Sequence, residues 1–116
     1  MSTLTANELN IENIHNHALM VAQNATNKFI KDELGGVDRA PCGFARVRVF
    51  GVKGNTKLGR TLKTLGFKPA WDGGLQLWNP SQSTVQNVDA KFHGAEAYAN
   101  VLQQFGISAT PDARLD

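Results

Sequence analysis

The sequence predicts an α+β domain: a long N-terminal helix followed by a ferredoxin-like β-α-β-β-α-β antiparallel sheet. Three observations lead there. Apolar residues recur at helical spacing through residues 6–34, and the run at 43–50 alternates with the period of a strand. The segments after it then read helix, strand, strand, helix, strand, which is the ferredoxin-like order. A chain of 116 residues is the size of one domain, here 1–116, with an N-terminal helix (1–36) ahead of a 42–111 sheet unit.

The first helix is read over residues 6–34. Thr5 with Glu8 fits a capping box and Gly35-Gly36 fits a helix stop. Ile11, Ile14, Ala18, Ala22, Ala25 and Phe29 form one apolar stripe, and Leu9, Met20, Ile30 and Leu34 a second, weaker one. Asparagine at 10, 13, 16, 24 and 27 is a poor helix former, so the pattern admits a break near Asn10. Val37–Pro41 reads as a linker. In Gly43–Phe50, Ala45, Val47 and Val49 point one way and Phe44, Arg46, Arg48 and Phe50 the other. After a Gly51–Gly54 loop, Asn55 or Thr56 caps a short helix that buries Leu58, Leu62 and Leu65 and turns Lys57, Arg60 and Lys63 outward.

Strands at 67–71 and 74–78 follow, joined at Asp72-Gly73, a hairpin signal. Asn87 or Asp89 opens a helix that runs through Phe105, and 107–110 is a last short strand. In a ferredoxin-like sheet the second and fourth strands are the edges. Pro69 falls in the second strand and Pro111 at the end of the fourth, where a missing ladder N–H is tolerated.

Charge supplies the functional signal. Arg39, Arg46, Arg48, Lys53, Lys57, Arg60, Lys63 and Lys68 fall in one segment without an acid, whereas both flanks are acidic, so a net charge of +2 conceals a cationic middle. Such a segment attracts phosphates if it maps to one surface. On the sheet face away from the two crossover helices the pattern sets Phe44, Arg46, Arg48 and Phe50 beside Gln76 and Trp78. Aromatics interleaved with arginines make a stacking platform for unpaired bases. The long first helix must also bury its stripes, so the same pattern admits a second arrangement in which that helix covers the face. Lys53, Asn55 and Lys57 cluster about a glycine loop at a helix N-terminus, a geometry suited to anions.

Local motifs add little to this. Cys42–Val49 resembles the RNP1 motif of RNA-recognition domains at Gly43, Phe44, Ala45 and Val47, but differs at Cys42, Arg46 and Val49 and lies on the first strand rather than the third. Gly51-Val52-Lys53-Gly54 resembles the backbone clamp of KH domains, yet that loop joins two helices, and the segment before this one reads as strand. No P-loop is present. His15 and His17 point to different helix faces and His93 is far along the chain, so no metal site is expected. No serine–histidine–acid set or carboxylate pair stands out, so neither an enzyme nor a cofactor is expected. The single cysteine, Cys42, suits a reducing cytoplasm, residues 1–10 lack the apolar core of a signal peptide, and no apolar run reaches the ~20 residues of a membrane span.

Four blocks carry a family resemblance: Cys42-Gly43-Phe44-Ala45, Gly54-Asn55-Thr56-Lys57-Leu58, the run Ala97–Ile107, and the ending Arg114-Leu115-Asp116. In these the chain resembles a group of small, uncharacterised bacteriophage proteins. The resemblance implies action in the cytoplasm of a bacterial host and carries no activity with it. The expected function is that of a non-enzymatic accessory protein binding a phosphate-bearing ligand, nucleic acid or a nucleotide-like anion, through Phe44, Arg46, Arg48, Lys53, Asn55, Lys57, Arg60, Lys63 and Trp78. The alternative is a protein-interaction module, such as an inhibitor of a host or defence protein, that forms homo-oligomers through its N-terminal helix.

Overall fold

The computed structural model describes residues 6–115, with side chains from Ile11 onward. Thr5 and the side chains of Glu8 and Leu9, on which the capping box and the start of the second stripe rest, lie outside what is described. Helix α1 (Ala6–Glu33) is one long helix, and the break that Asn10 would admit does not occur. It ends where predicted. Gly35 and Gly36 adopt φ of 66° and 83°, and the Gly36 N–H closes back on the Ile30 carbonyl at 2.8 Å. The reason Asn10 does not break it is tertiary: most helical stability comes from packing an amphipathic face rather than from propensity. Ile14, Ala18 and Ala22 are buried, and Ile11 is partly buried against the same core. Of the second stripe Met20 is exposed, and Ile30 and Leu34 are half-buried.

Four strands form one antiparallel sheet in the order β2-β3-β1-β4, where β1 is Gly43–Val49, β2 Lys68–Pro69, β3 Leu75–Trp78 and β4 Ala109–Leu115. Strands β1 and β3 are therefore inner and both prolines sit on edges, Pro111 opposite Val47. The two edge strands differ most from the sequence reading. Strand β2 stops at Pro69 because Ala70 and Gly74 already close the turn, the Ala70 N–H donating to the Gly74 carbonyl at 3.0 Å. Strand β4 starts and ends later than expected: Ile107 still closes the preceding helix through the Leu102 carbonyl, and pairing with β1 then carries the chain through to Leu115.

Helix α2 (Lys57–Thr64) is capped by Thr56, whose Oγ1 accepts the Gly59 N–H at 3.1 Å. Helix α3 (Val88–Gln104) is capped by Asn87, whose Oδ1 accepts the Ala90 N–H at 2.8 Å. The linker before β1 is tied down: the Asp38 carboxylate accepts the N–H groups of Gln86 and Asn87 at 2.7 and 3.0 Å.

One core lies between the Ala45/Val47/Val49 face of the sheet and the helices, and takes in Leu62 of α2, Phe67, Leu75 and Tyr98 of α3. Helix α3 packs on β1 and β4, and α1 packs along α3. The pairs His15–Tyr98, Thr26–Ala90 and Phe29–His93 show that the two run antiparallel. Their approach is close. A Cβ on Gly94 would collide with Thr26 Oγ1, which donates to the Ala90 carbonyl at 2.8 Å. Because α1 lies on α3, no described element covers the other face of the sheet, and the arrangement in which α1 seals that face is not the one adopted.

Candidate nucleic-acid interface

Period-two alternation and strand register compose the open face. On β1, Phe44, Arg46 and Arg48 stand opposite Arg114, Asp112 and Thr110 of β4. On the other side Arg46 faces Trp78 and Arg48 faces Gln76, with Lys68 beyond. Phe44 and Trp78 are 43% and 44% exposed, and Phe50 extends the aromatic line at the end of β1. Phe44 and Trp78 are diagonal neighbours on adjacent strands, a separation of about 7–8 Å that suits two successive bases. Trp71, in the β2–β3 turn, is 92% exposed.

The arginines behave differently from the expectation of free cations. Arg46 is only 8% exposed. Its Nε and Nη2 donate to Asp112 Oδ2 at 3.1 and 3.0 Å, Nη2 also donates to Asp72 Oδ2 at 3.0 Å, and Nη1 donates to Gln76 Oε1. Its guanidinium carbon lies 5.4 Å from the Trp78 ring centroid. Arg48 pairs with Asp72 at 3.3 Å, reaches the Asp72 carbonyl at 3.2 Å and covers the Phe50 ring. The Arg46 hydrogen bond holds the Asp72 carboxyl below its ordinary range against partial desolvation, and the charges of Arg46 and Arg48 add to it. Arg46 and Arg48 therefore brace the aromatic platform, and their charge is largely answered within the protein. The physical reason is register: β4 runs long enough to set Asp112 beside Arg46, and the hairpin turn folds Asp72 over both arginines.

The remaining cations fall on a second surface. Helix α2 buries Gly59 and Leu62 toward the Val47/Val49 face, so Lys57, Arg60 and Lys63 are exposed on the far side from the open sheet. The glycine loop closes on the helix. A Cβ on Gly59 would collide with the Lys53 carbonyl, Arg60 Nη1 donates to the Asn55 carbonyl at 2.6 Å, and the Lys63 ammonium lies against Gly54. Lys53 and Asn55 are exposed at its rim. The basic middle of the sequence thus divides between two faces instead of forming one patch. Arg39 stays apart, hydrogen-bonded to the Leu34 carbonyl at 3.2 Å.

Residues the sequence did not single out complete the open face: Trp71, Asp72, Asp112 and Arg114. Asp72 reads as turn chemistry, and β4 alternates Ala109, Pro111, Ala113 and Leu115 with Thr110, Asp112 and Arg114, a strand pattern weakened by its proline and small residues, so pairing with β1 is what reveals its extent. Lys91 on α3 is buried, donating to the Gly43 carbonyl at 2.9 Å with its ammonium 5.3 Å from the Phe44 ring centroid. His15 is buried against the Tyr98 hydroxyl at 2.6 Å. Among the described residues no three His, Cys, Asp or Glu side chains gather as a metal site would require, and no helix is long and apolar enough to cross a membrane. Comparison with known protein families, curated protein sequences and solved structures returns no match.

Proposed function

We propose that the protein is a non-catalytic binder of single-stranded nucleic acid that uses the open face of its sheet. The observation that carries this reading is the set of solvent-exposed aromatics, Phe44, Phe50, Trp71 and Trp78, on or beside a sheet face that no described element covers. Burying such groups against the protein's own core would be the default, and large exposed aromatic clusters mark binding surfaces. Unpaired bases stack on rings of this kind, whereas a closed duplex offers them no base faces. Lys68 and Arg114 on the same face supply phosphate contacts.

The β-α-β-β-α-β unit is read as ferredoxin-like, a reading supported by the inner positions of β1 and β3 and by prolines on both edges. The resemblance to small phage proteins supports an accessory role in a bacterial cytoplasm. The alternative, a protein partner on the same face, draws support from the internal pairing of Arg46 and Arg48, which lowers the pull on phosphate.

The test is titration of single-stranded and duplex oligonucleotides at about 50 mM salt, followed by tryptophan fluorescence. Single strands are expected to bind with quenching. Phe44→Ala and Trp78→Ala should each weaken binding about 5- to 150-fold, the equivalent of one stacked base. No binding of any oligonucleotide, or wild-type binding by Phe44→Ala, overturns the reading in favour of a protein partner.

A further inference from the structure

The open face holds a small groove between Trp71 and Trp78, lined also by Arg46, Asp112, Ala113 and Arg114, with a volume of about 130 Å³. That is comparable to the roughly 150 Å³ of a closed cavity that holds a benzene ring, and with Trp71 and Trp78 exposed the groove is open to solvent, so a larger flat ring can seat in it only in part. Its walls decide what kind of ring. Arg46 offers its cation to the Trp78 ring but is already paired with Asp72 and Asp112, so Arg114 is the lining cation that no carboxylate answers among the described residues. Arg114 is therefore the group here that can meet an anionic part of a ligand.

Asp112 supplies the selectivity. Its side chain is 47% exposed, and both hydrogen bonds it accepts from Arg46 go to Oδ2. Among the described residues nothing donates to Oδ1, which keeps both of its acceptor sites. Arg46 holds the carboxylate still, so Oδ1 presents a fixed acceptor at the groove beside an aromatic wall. Of the four bases, guanine alone offers two adjacent donors, a ring N–H and an exocyclic amino group, on its pairing edge. On cytosine and adenine the amino group sits next to a ring nitrogen that would face the carboxylate as a second acceptor. Thymine flanks its one N–H with carbonyls.

We propose that this groove is a guanine pocket within the single-strand surface: Trp78 and Trp71 stack the base, Asp112 Oδ1 accepts from its pairing edge, and Arg114 meets the adjoining phosphate. The proposal rests on the nucleic-acid reading above and adds base selectivity to it.

The experiment compares an all-thymidine oligonucleotide with versions carrying one central guanine, adenine or cytosine, at about 50 mM salt. A well-made two-donor contact discriminates by about 5- to 150-fold, so wild-type protein should prefer the guanine oligonucleotide by at least fivefold. Asp112→Asn, and independently Asp112→Ser, should erase that preference, read as the ratio of guanine to all-thymidine affinity within each variant, whatever the loss of the Arg46 pairing does to the binding of all strands together. Trp71→Ala should weaken every oligonucleotide. Binding of all oligonucleotides without a guanine preference overturns the pocket and leaves the broader reading standing, as does a preference that survives both Asp112 variants. Binding of none overturns both.

Discussion

His15 and Tyr98 join α1 to the helix that carries the sheet, and their burial makes the fold sensitive to acid. His15 is buried and its Nδ1 meets the Tyr98 hydroxyl at 2.6 Å. Desolvation pushes the imidazole's pKa below its ordinary value, with the Glu12 carboxylate opposing, and burial likewise raises the Tyr98 phenol. An unfolded chain takes up a proton at His15 near pH 6.5. The folded chain does so only at lower pH. Below about 6.5 the unfolded state therefore binds more protons, and stability falls with falling pH by up to about 1.4 kcal/mol per unit until the folded histidine is also protonated. Above 6.5 this contribution is fully present and flat.

Urea unfolding followed by far-UV circular dichroism at pH 8, 6.5 and 5 measures the slope. His15→Gln keeps a hydrogen-bonding side chain but cannot titrate, so the part of the slope between pH 6.5 and 5 due to His15 should disappear. Tyr98→Phe keeps the ring packed near Phe67 yet leaves the imidazole nitrogen buried without its partner, at a cost of about 1–3 kcal/mol at pH 8. An unchanged slope in His15→Gln, or a Tyr98→Phe protein as stable as wild type, would refute the account.

Two further outcomes are expected. Gly94→Ala should destabilise by about 1–3 kcal/mol, because the new methyl group meets Thr26 Oγ1 and Ser81 at the α1–α3 crossing and overpacking outweighs the better helix propensity of alanine; a variant as stable as wild type in urea would show that the helices are not so closely seated. The triple change Lys57/Arg60/Lys63→Gln should leave the affinity for a strand of about five nucleotides within threefold, since α2 faces away from the open sheet, but should flatten the salt dependence of a strand long enough to pass round the β2 edge by about 2–3 units of slope. Equal effects on both lengths would place the strand on α2 instead.

Local pattern was sufficient for the elements and for much of the core. Helical spacing gave α1 its end at Gly35-Gly36, alternation separated Ala45, Val47 and Val49 from Phe44, Arg46 and Arg48, and a capping residue opened α2 and α3, because each of these signals is carried by neighbours within about one turn or one strand. The aromatic members of the candidate site, Phe44 and Trp78, were legible for the same reason. What one stretch of chain could not carry was who meets whom across it. The extent of β4 depends on its pairing with β1, and with it comes Asp112 beside Arg46. The seating of α1 on α3 depends on small residues at Ala18, Ala22 and Gly94, and leaves the sheet face open. The basic segment, continuous in sequence, is split by the sheet itself: alternate strand residues face one side while α2 packs on the other and turns its cations outward. Charge read along a chain is a sum, and only the fold decides which side of a sheet each charge stands on and which carboxylate answers it.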